Sequence, residues 1–275
     1  RIAFSPSQPS GPQPSAPADR NVATHLPAAK RRSPHPICPE MRRAANALPL
    51  AKPAAPGILA AIPAAKAHPM PDLDTDLDTN TIGVSEPFMA RAGAQLLAPD
   101  VNALSVTHEG NPAHTTVIGH SYGSTTVADA AATAGLRADD VVLVGSPGTD
   151  FAHRAKDFHL PPGGHVYVGA ASSDPITGVS GQPQLRLPGA SAPVGLGADP
   201  AVDGYGSTRF KAESHGVPLP MTGHSSYFDP DGESLFSIGD IASGHGDALA
   251  EHHMTAPHRR RLPAFDPERF RPGTV

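Results

Sequence analysis

The sequence predicts an α/β fold, a mostly parallel sheet flanked by helices. Three observations carry this. Thr115-Thr116-Val117-Ile118 is β-branched and apolar, Gly119-His120-Ser121-Tyr122-Gly123 follows as a tight turn, and the small, Ala-rich run from Ser124 to Ala134 follows as a helix. Val141-Val142-Leu143-Val144-Gly145 and Val166-Tyr167-Val168-Gly169-Ala170 are continuous apolar runs, as expected of strands buried on both faces of a parallel sheet. The connections between these elements are short, which implies right-handed parallel crossovers.

The elements read in order as follows. Residues 1–83 are a disordered Pro/Ala-rich segment, with a basic cluster at Lys30-Arg31-Arg32 and no lasting apolar period. Such a composition cannot bury enough surface to offset its ordering entropy. Within it, Met41-Arg42-Arg43, an Ala/Leu/Ile-rich run and Ala64-Ala65-Lys66-Ala67 imitate a secretory leader. Lys52, Pro53, Pro56 and Pro63 interrupt that run, so the disordered reading is preferred. The compartment stays open, cytoplasmic slightly favoured and secretion as the alternative. The chain begins with Arg, which reads as a fragment or a processed product. The acidic run Asp72-Leu73-Asp74-Thr75-Asp76-Leu77-Asp78 lacks the Gly and Glu that a calcium loop needs, so it reads as a solvated loop.

An ordered core is expected over residues 84–250. Phe88, Ala92, Ala94, Leu97, Val101 and Leu104 recur at helical spacing, with Pro99 expected to kink or restart the helix. Gly135 is placed to cap the helix after the Ser121 turn. Residues 176–222 are a Gly/Pro-rich insertion, either a lid or a surface excursion. Ser234 to Ser243 is the last helix, with Leu235, Ile238, Ile241 and Ala242 on one face. Residues 251–275 read as a basic, Pro-rich tail.

Composition narrows the function classes. The net charge of −5 gives no electrostatic capture of nucleic acid. Cys38 is the only cysteine, so the chain has no internal disulfide. The 15 His residues are scattered without metal-ligand spacing, and neither a metal nor another cofactor is expected. No segment has the roughly 18 uninterrupted apolar residues of a membrane span.

Gly119-His120-Ser121-Tyr122-Gly123 fits G-x-S-x-G between a strand and a helix. That context lifts a Ser hydroxyl off the sheet, beside the N–H groups of a helix N-terminus, where an oxyanion can be stabilised. Ser121 is therefore the candidate nucleophile, and the Tyr122 backbone N–H a candidate oxyanion donor. The acid and His should follow in that chain order. Asp174 follows the Val166–Ala170 strand and is preferred. Asp150, after Val141–Gly145, is the rival. His224, just before the last helix, is the preferred base over His215, His245, His252 and His253. In these roles Ser121 attacks an acyl carbonyl, His224 takes its proton and Asp174 orients the imidazole. The His120 and Tyr122 side chains are expected to pack beside the turn.

With these residues in hand, the chain resembles an actinobacterial α/β-hydrolase domain family of unknown function. The resemblance rests on Val117 to Thr126, Val141 to Gly148, Val166 to Pro175, Asp199-Pro200 with Gly204 to Phe210, and His224-Ser225-Ser226-Tyr227-Phe228. It covers about residues 70 to 250. It implies an α/β-hydrolase fold and supports Ser121, Asp174 and His224 as the triad. It also implies strands upstream of the Ser turn, with a Gly-rich loop that completes the oxyanion hole. No such strands are legible in residues 1–83, so the sheet is expected to lack its first strands and one donor. Losing one such donor costs roughly 3 kcal/mol of transition-state stabilisation. Two readings follow. One is a serine hydrolase acting on a small-molecule ester or other acyl substrate through an acyl-enzyme, with no protein partner named. The other is an inactive or truncated hydrolase-fold remnant serving as a binding module. A secreted effector carrying this domain is a third possibility.

Overall fold

The computed structural model describes residues 58–62 as backbone, and residues 87–108, 110, 113–181, 195–214, 222–261 and 265–272. Lys30-Arg31-Arg32, Cys38, the acidic run at 72–78 and His215 lie outside the described residues. The chain runs β1 (Ile58–Ile62), α1 (Phe88–Thr107), β2 (Thr115–His120), α2 (Tyr122–Thr133), β3 (Asp140–Val144), β4 (Val166–Gly169), α3 (Pro175–Gly178), β5 (Thr208–Phe210), α4 (Thr222–Ser225) and α5 (Glu233–Ala242), with short 3-10 turns between. The strands form one five-stranded sheet in sequential order. Every pairing in it is parallel.

Alternation along the strands builds two cores. Val117, Val141, Leu143, Val166 and Val168 face one way, onto Ala94, Ala98 and Val101 of α1 and Val127, Ala128 and Ala131 of α2. Ile118, Val142, Val144 and Tyr167 face the other way, onto Tyr227 and onto Ile238 and Ile241 of α5. Strands covered on both sides favour apolar side chains on both faces, which is why these read as near-continuous apolar runs. The alternating face set of β2, β3 and β4 follows from the period of two along a strand.

The helices differ in detail from expectation. α1 continues through Pro99 as one element. Its buried ridge is Ala90, Ala94, Ala98 and Val101, whereas Phe88 is 53% exposed. Small residues win this face because α1 lies close against the Ala-rich α2. A Cβ added at Gly93 would already stand 3.1 Å from the Thr126 methyl. Gly135 follows α2 at φ 71°, the left-handed conformation that ends helices without strain in Gly. In α5 the buried face is Ser234, Ser237, Ile238 and Ile241, while Leu235 is 37% exposed.

Two segments depart from the sequence reading. β1 lies inside the stretch that reads as low complexity, and Ile58-Leu59-Ala60-Ala61-Ile62 pairs in register with Thr115 to Gly119. It is the one strand upstream of the Ser turn among the described residues. Its signal is weak because it is short, rich in Ala and preceded by Pro56. Residues expected as a C-terminal tail pack onto the body: Thr255 bridges Phe210 of β5, and Arg259 bridges Val202. Glu268, also in that segment, is buried.

Candidate active site

The carboxyl ends of parallel strands gather loops at one edge of a sheet, where open α/β folds bind their ligands. Ser121 follows β2, Gly145 follows β3, Asp174 stands beyond β4, and His224 comes after β5. The turn at Ser121 is built by its neighbours. Ser121 N–H donates to Val144 O at 2.9 Å, so the residue still belongs to the ladder with β3. It then bends sharply, at φ 54° and ψ −131°, into α2. This is a sparsely populated conformation for a residue with a Cβ, costing about 1–3 kcal/mol. The Ser124 hydroxyl holds the bend by donating to Ser121 O at 2.6 Å. Gly119 is required there, since a Cβ on it would lie 2.6 Å from the Ser124 Cα.

Three side chains meet at this edge. His224 Nε2 lies 2.8 Å from Ser121 Oγ. His224 Nδ1 lies 3.1 and 3.0 Å from the two Asp174 carboxylate oxygens. The Asp174 side chain is fully buried, and that of His224 is 12% exposed. Burial alone would push the Asp174 carboxyl up. The hydrogen bonds and charge of His224, the Tyr227 hydroxyl and the Ile176 N–H outweigh it and hold the group below the usual carboxylate range. Asp174 also caps α3, accepting the Ile176 N–H at 2.8 Å, so the same carboxylate both starts a helical turn and meets the imidazole.

Three of the rival residues are engaged elsewhere. Asp150 pairs with Arg91 at 2.6 Å. His252 pairs with Asp240 at 2.6 Å, and His245 lies 3.1 Å from the Ser243 hydroxyl. His120 packs beside the site: its Nε2 is 2.9 Å from His224 O, and its ring lies 4.9 Å from that of His224. Burial holds His120 below the ordinary imidazole range, so the neutral ring donates to that carbonyl through Nε2. The Tyr122 hydroxyl accepts the Ala90 N–H at 2.9 Å, which ties its side chain to α1.

Two contributors escaped the sequence reading. Tyr227 donates to Asp174 Oδ2 at 2.7 Å, and its spacing of three residues from His224 is the pattern that sets two side chains on one helical face. Gly145, at φ 60°, leaves room for the imidazole: a Cβ there would stand 2.9 Å from the Tyr227 ring and 3.1 Å from His224 Nδ1. A cavity behind the acid is lined by Asp174, Thr177, Ser180, Asp199 and Arg259. Neither Ser121 nor His224 lines it.

Residues 58–185 match a family model described as alpha/beta hydrolase, from the first residue of β1 to beyond α3. This stretch is an α/β-hydrolase domain. The match begins at β1, so this strand belongs to the hydrolase fold. The chain is also similar to two uncharacterized proteins of Mycobacterium tuberculosis, Rv2079 of strain H37Rv and MT2140 of strain CDC 1551. Each is 50% identical over 193 residues, 65% of this chain and 28% of the relative. The chain thus spans little more than a quarter of the length of these relatives. No solved structure matches it significantly. The hydrolase domain accordingly sits in an actinobacterial family of unknown function, in agreement with the resemblance carried by its sequence blocks.

No helix among the described residues is long and apolar enough to cross a membrane.

Proposed function

We propose that the domain is a serine hydrolase acting on an ester or other acyl substrate. The observation that carries this is the unbroken run of contacts from Ser121 Oγ through His224 to Asp174, at the carboxyl edge of a parallel sheet. The depressed Asp174 carboxyl is ionised at neutral pH and can only accept. His224 therefore carries its proton on Nδ1 and presents the Nε2 lone pair to Ser121. In this reading Ser121 Oγ forms a bond to the acyl carbon while its proton passes to His224 Nε2. The tetrahedral intermediate collapses, and the leaving group departs with that proton. Water then attacks the acyl-enzyme, with His224 again as base, and the acid product leaves Ser121 free.

Tyr122 opens α2, so its backbone N–H and the positive end of the helix favour the oxyanion. β1 bears on the second donor. Ile62 pairs with Gly119, so β1 ends at the edge where that donor is needed. The strained Ser121 backbone fits the same reading, because strain of this kind persists where geometry serves chemistry.

Labelling with a fluorophosphonate tests the proposal. Covalent modification of the wild type that is lost in Ser121→Ala supports an activated serine. Folded wild-type protein that takes no label favours a binding module built on the hydrolase fold.

A further inference from the structure

The C-terminal segment reaches into the loop that carries Asp174. Its backbone is fixed first: Arg259 N–H donates to Ala201 O at 2.9 Å, and Asp203 N–H donates to Arg259 O at 2.8 Å. The Arg259 side chain, 11% exposed, then turns inward. Its Nε donates to Asp266 Oδ2 at 2.7 Å, and Asp199 lies 3.5 Å from its outer fork. Asp266 is in turn gripped by the fully buried Arg209 through two bonds, at 2.8 and 3.0 Å. Two guanidinium groups and two carboxylates thus balance in charge, which is the condition for burying them.

What this network holds is α3. Arg259 donates to the Thr177 carbonyl at 2.9 Å and to Thr177 Oγ1 at 2.7 Å. The Thr177 hydroxyl donates to Asp174 O at 3.0 Å. Asp174 grips the same turn from its other end through the Ile176 N–H. The late carbonyls of a helical turn have no intrahelical partner, so a planar fork that takes the Thr177 carbonyl and hydroxyl together fixes the turn's rotation. Rotating α3 would swing the carboxylate away from His224.

We propose that Arg259 is a positioning residue for the Asp174–His224 contact, acting through Thr177. The proposal rests on the hydrolase reading for its functional meaning, but the contact can be read without turnover. Lys does not reproduce the fork, because its one nitrogen stands in for three separately placed nitrogens that donate to Asp266, the Thr177 carbonyl and the Thr177 hydroxyl.

The test uses the whole chain and the variants Arg259→Lys, Thr177→Val, their double variant and Arg271→Lys. Arg271 belongs to the same C-terminal segment but pairs with Glu233 and Glu268. One readout is the downfield proton resonance of His224 Nδ1–H, assigned by its loss in His224→Gln. The other is the second-order rate of fluorophosphonate labelling at Ser121. The Nδ1–H signal should move or broaden in Arg259→Lys and Thr177→Val and stay unchanged in Arg271→Lys. Labelling should slow by about tenfold to a hundredfold in Arg259→Lys, the scale of a small displacement from reacting geometry. The double variant should be no slower than Arg259→Lys, as expected of two residues acting in one path. If Arg259→Lys does not fold, Thr177→Val decides, since it leaves the four charged groups in place. An unchanged Nδ1–H signal in the folded variants, or its absence from the wild type, overturns the proposal. An unlabelled wild type whose Nδ1–H signal still responds to Arg259→Lys and Thr177→Val would sink the hydrolase reading and leave the positioning role standing.

Discussion

The Tyr227 hydroxyl donates to Asp174 Oδ2 at 2.7 Å and accepts the Ala171 N–H at 3.0 Å. One phenol therefore fixes both the carboxylate and the loop on which it stands. Asp174 is held below the ordinary carboxylate range partly by this bond, so its contribution to stability is present above the ordinary value of 3.8 and is lost as pH falls through its lower folded value. Tyr227→Phe removes the donor and brings the folded value closer to the ordinary one. Acid unfolding of Tyr227→Phe should begin at higher pH than in the wild type. At neutral pH the variant should lose about 1.5–3 kcal/mol, the range for a hydrogen bond to a charged group. Denaturant melts across the acid range check both; an acid transition unmoved by the variant would contradict the account.

Gly145→Ala places a methyl against the Tyr227 and His224 rings at a residue with φ 60°. The backbone alone should cost about 1–3 kcal/mol. The methyl should also push His224 off Ser121, so fluorophosphonate labelling should fall by about tenfold or more, a displacement effect. Labelling at the wild-type rate would mean that the imidazole does not need this space.

Ser121 is held at φ 54°. Ser121→Gly and Ser121→Ala both abolish the nucleophile, but only Gly relieves the backbone. Ser121→Gly should therefore be more stable than Ser121→Ala by about 1 kcal/mol or more. Equal melting temperatures for the two variants would show that the turn is unstrained.

Asp129 of α2 is buried, accepts the Phe151 N–H at 3.3 Å, and has no hydrogen-bond partner for Oδ2 among the described residues. Burial, helped by the nearby Asp150 charge, pushes its carboxyl up to about 7, against the Phe151 N–H and Arg91. An acid raised in the folded state binds its proton more tightly there. Between the ordinary value of 3.8 and about 7, stability should therefore fall as pH rises. Asp129→Asn removes this titration. Its melting temperature relative to wild type should climb across that window and level off above it. A difference that stays constant with pH would contradict the assignment.

The strands β2, β3 and β4 were legible because burial on both faces demands apolar side chains in sequence. Ser121, Asp174 and His224 were legible because a strand-to-helix turn and loop positions in a fixed chain order constrain them strongly. Other features depend on contacts that no local window contains. In the α1 ridge Ala94 and Val101 stood out at helical spacing, but Ala90 and Ala98 are hidden by their small side chains, which are chosen by the closeness of α2. β1 needs β2 beside it to be recognised. Arg259 stands in the stretch that reads as a basic, Pro-rich tail, and its partners Thr177 and Asp199 are far away in sequence.

The most direct measurement is the rate of fluorophosphonate labelling in the wild type, Ser121→Ala, His224→Gln and Asp174→Asn, with the modified residue mapped by mass spectrometry. The expected result is a single modified residue, Ser121, with no label in Ser121→Ala and labelling slowed by orders of magnitude in the other two variants. Labelling elsewhere, or labelling of Ser121 at an undiminished rate in folded His224→Gln, would contradict it.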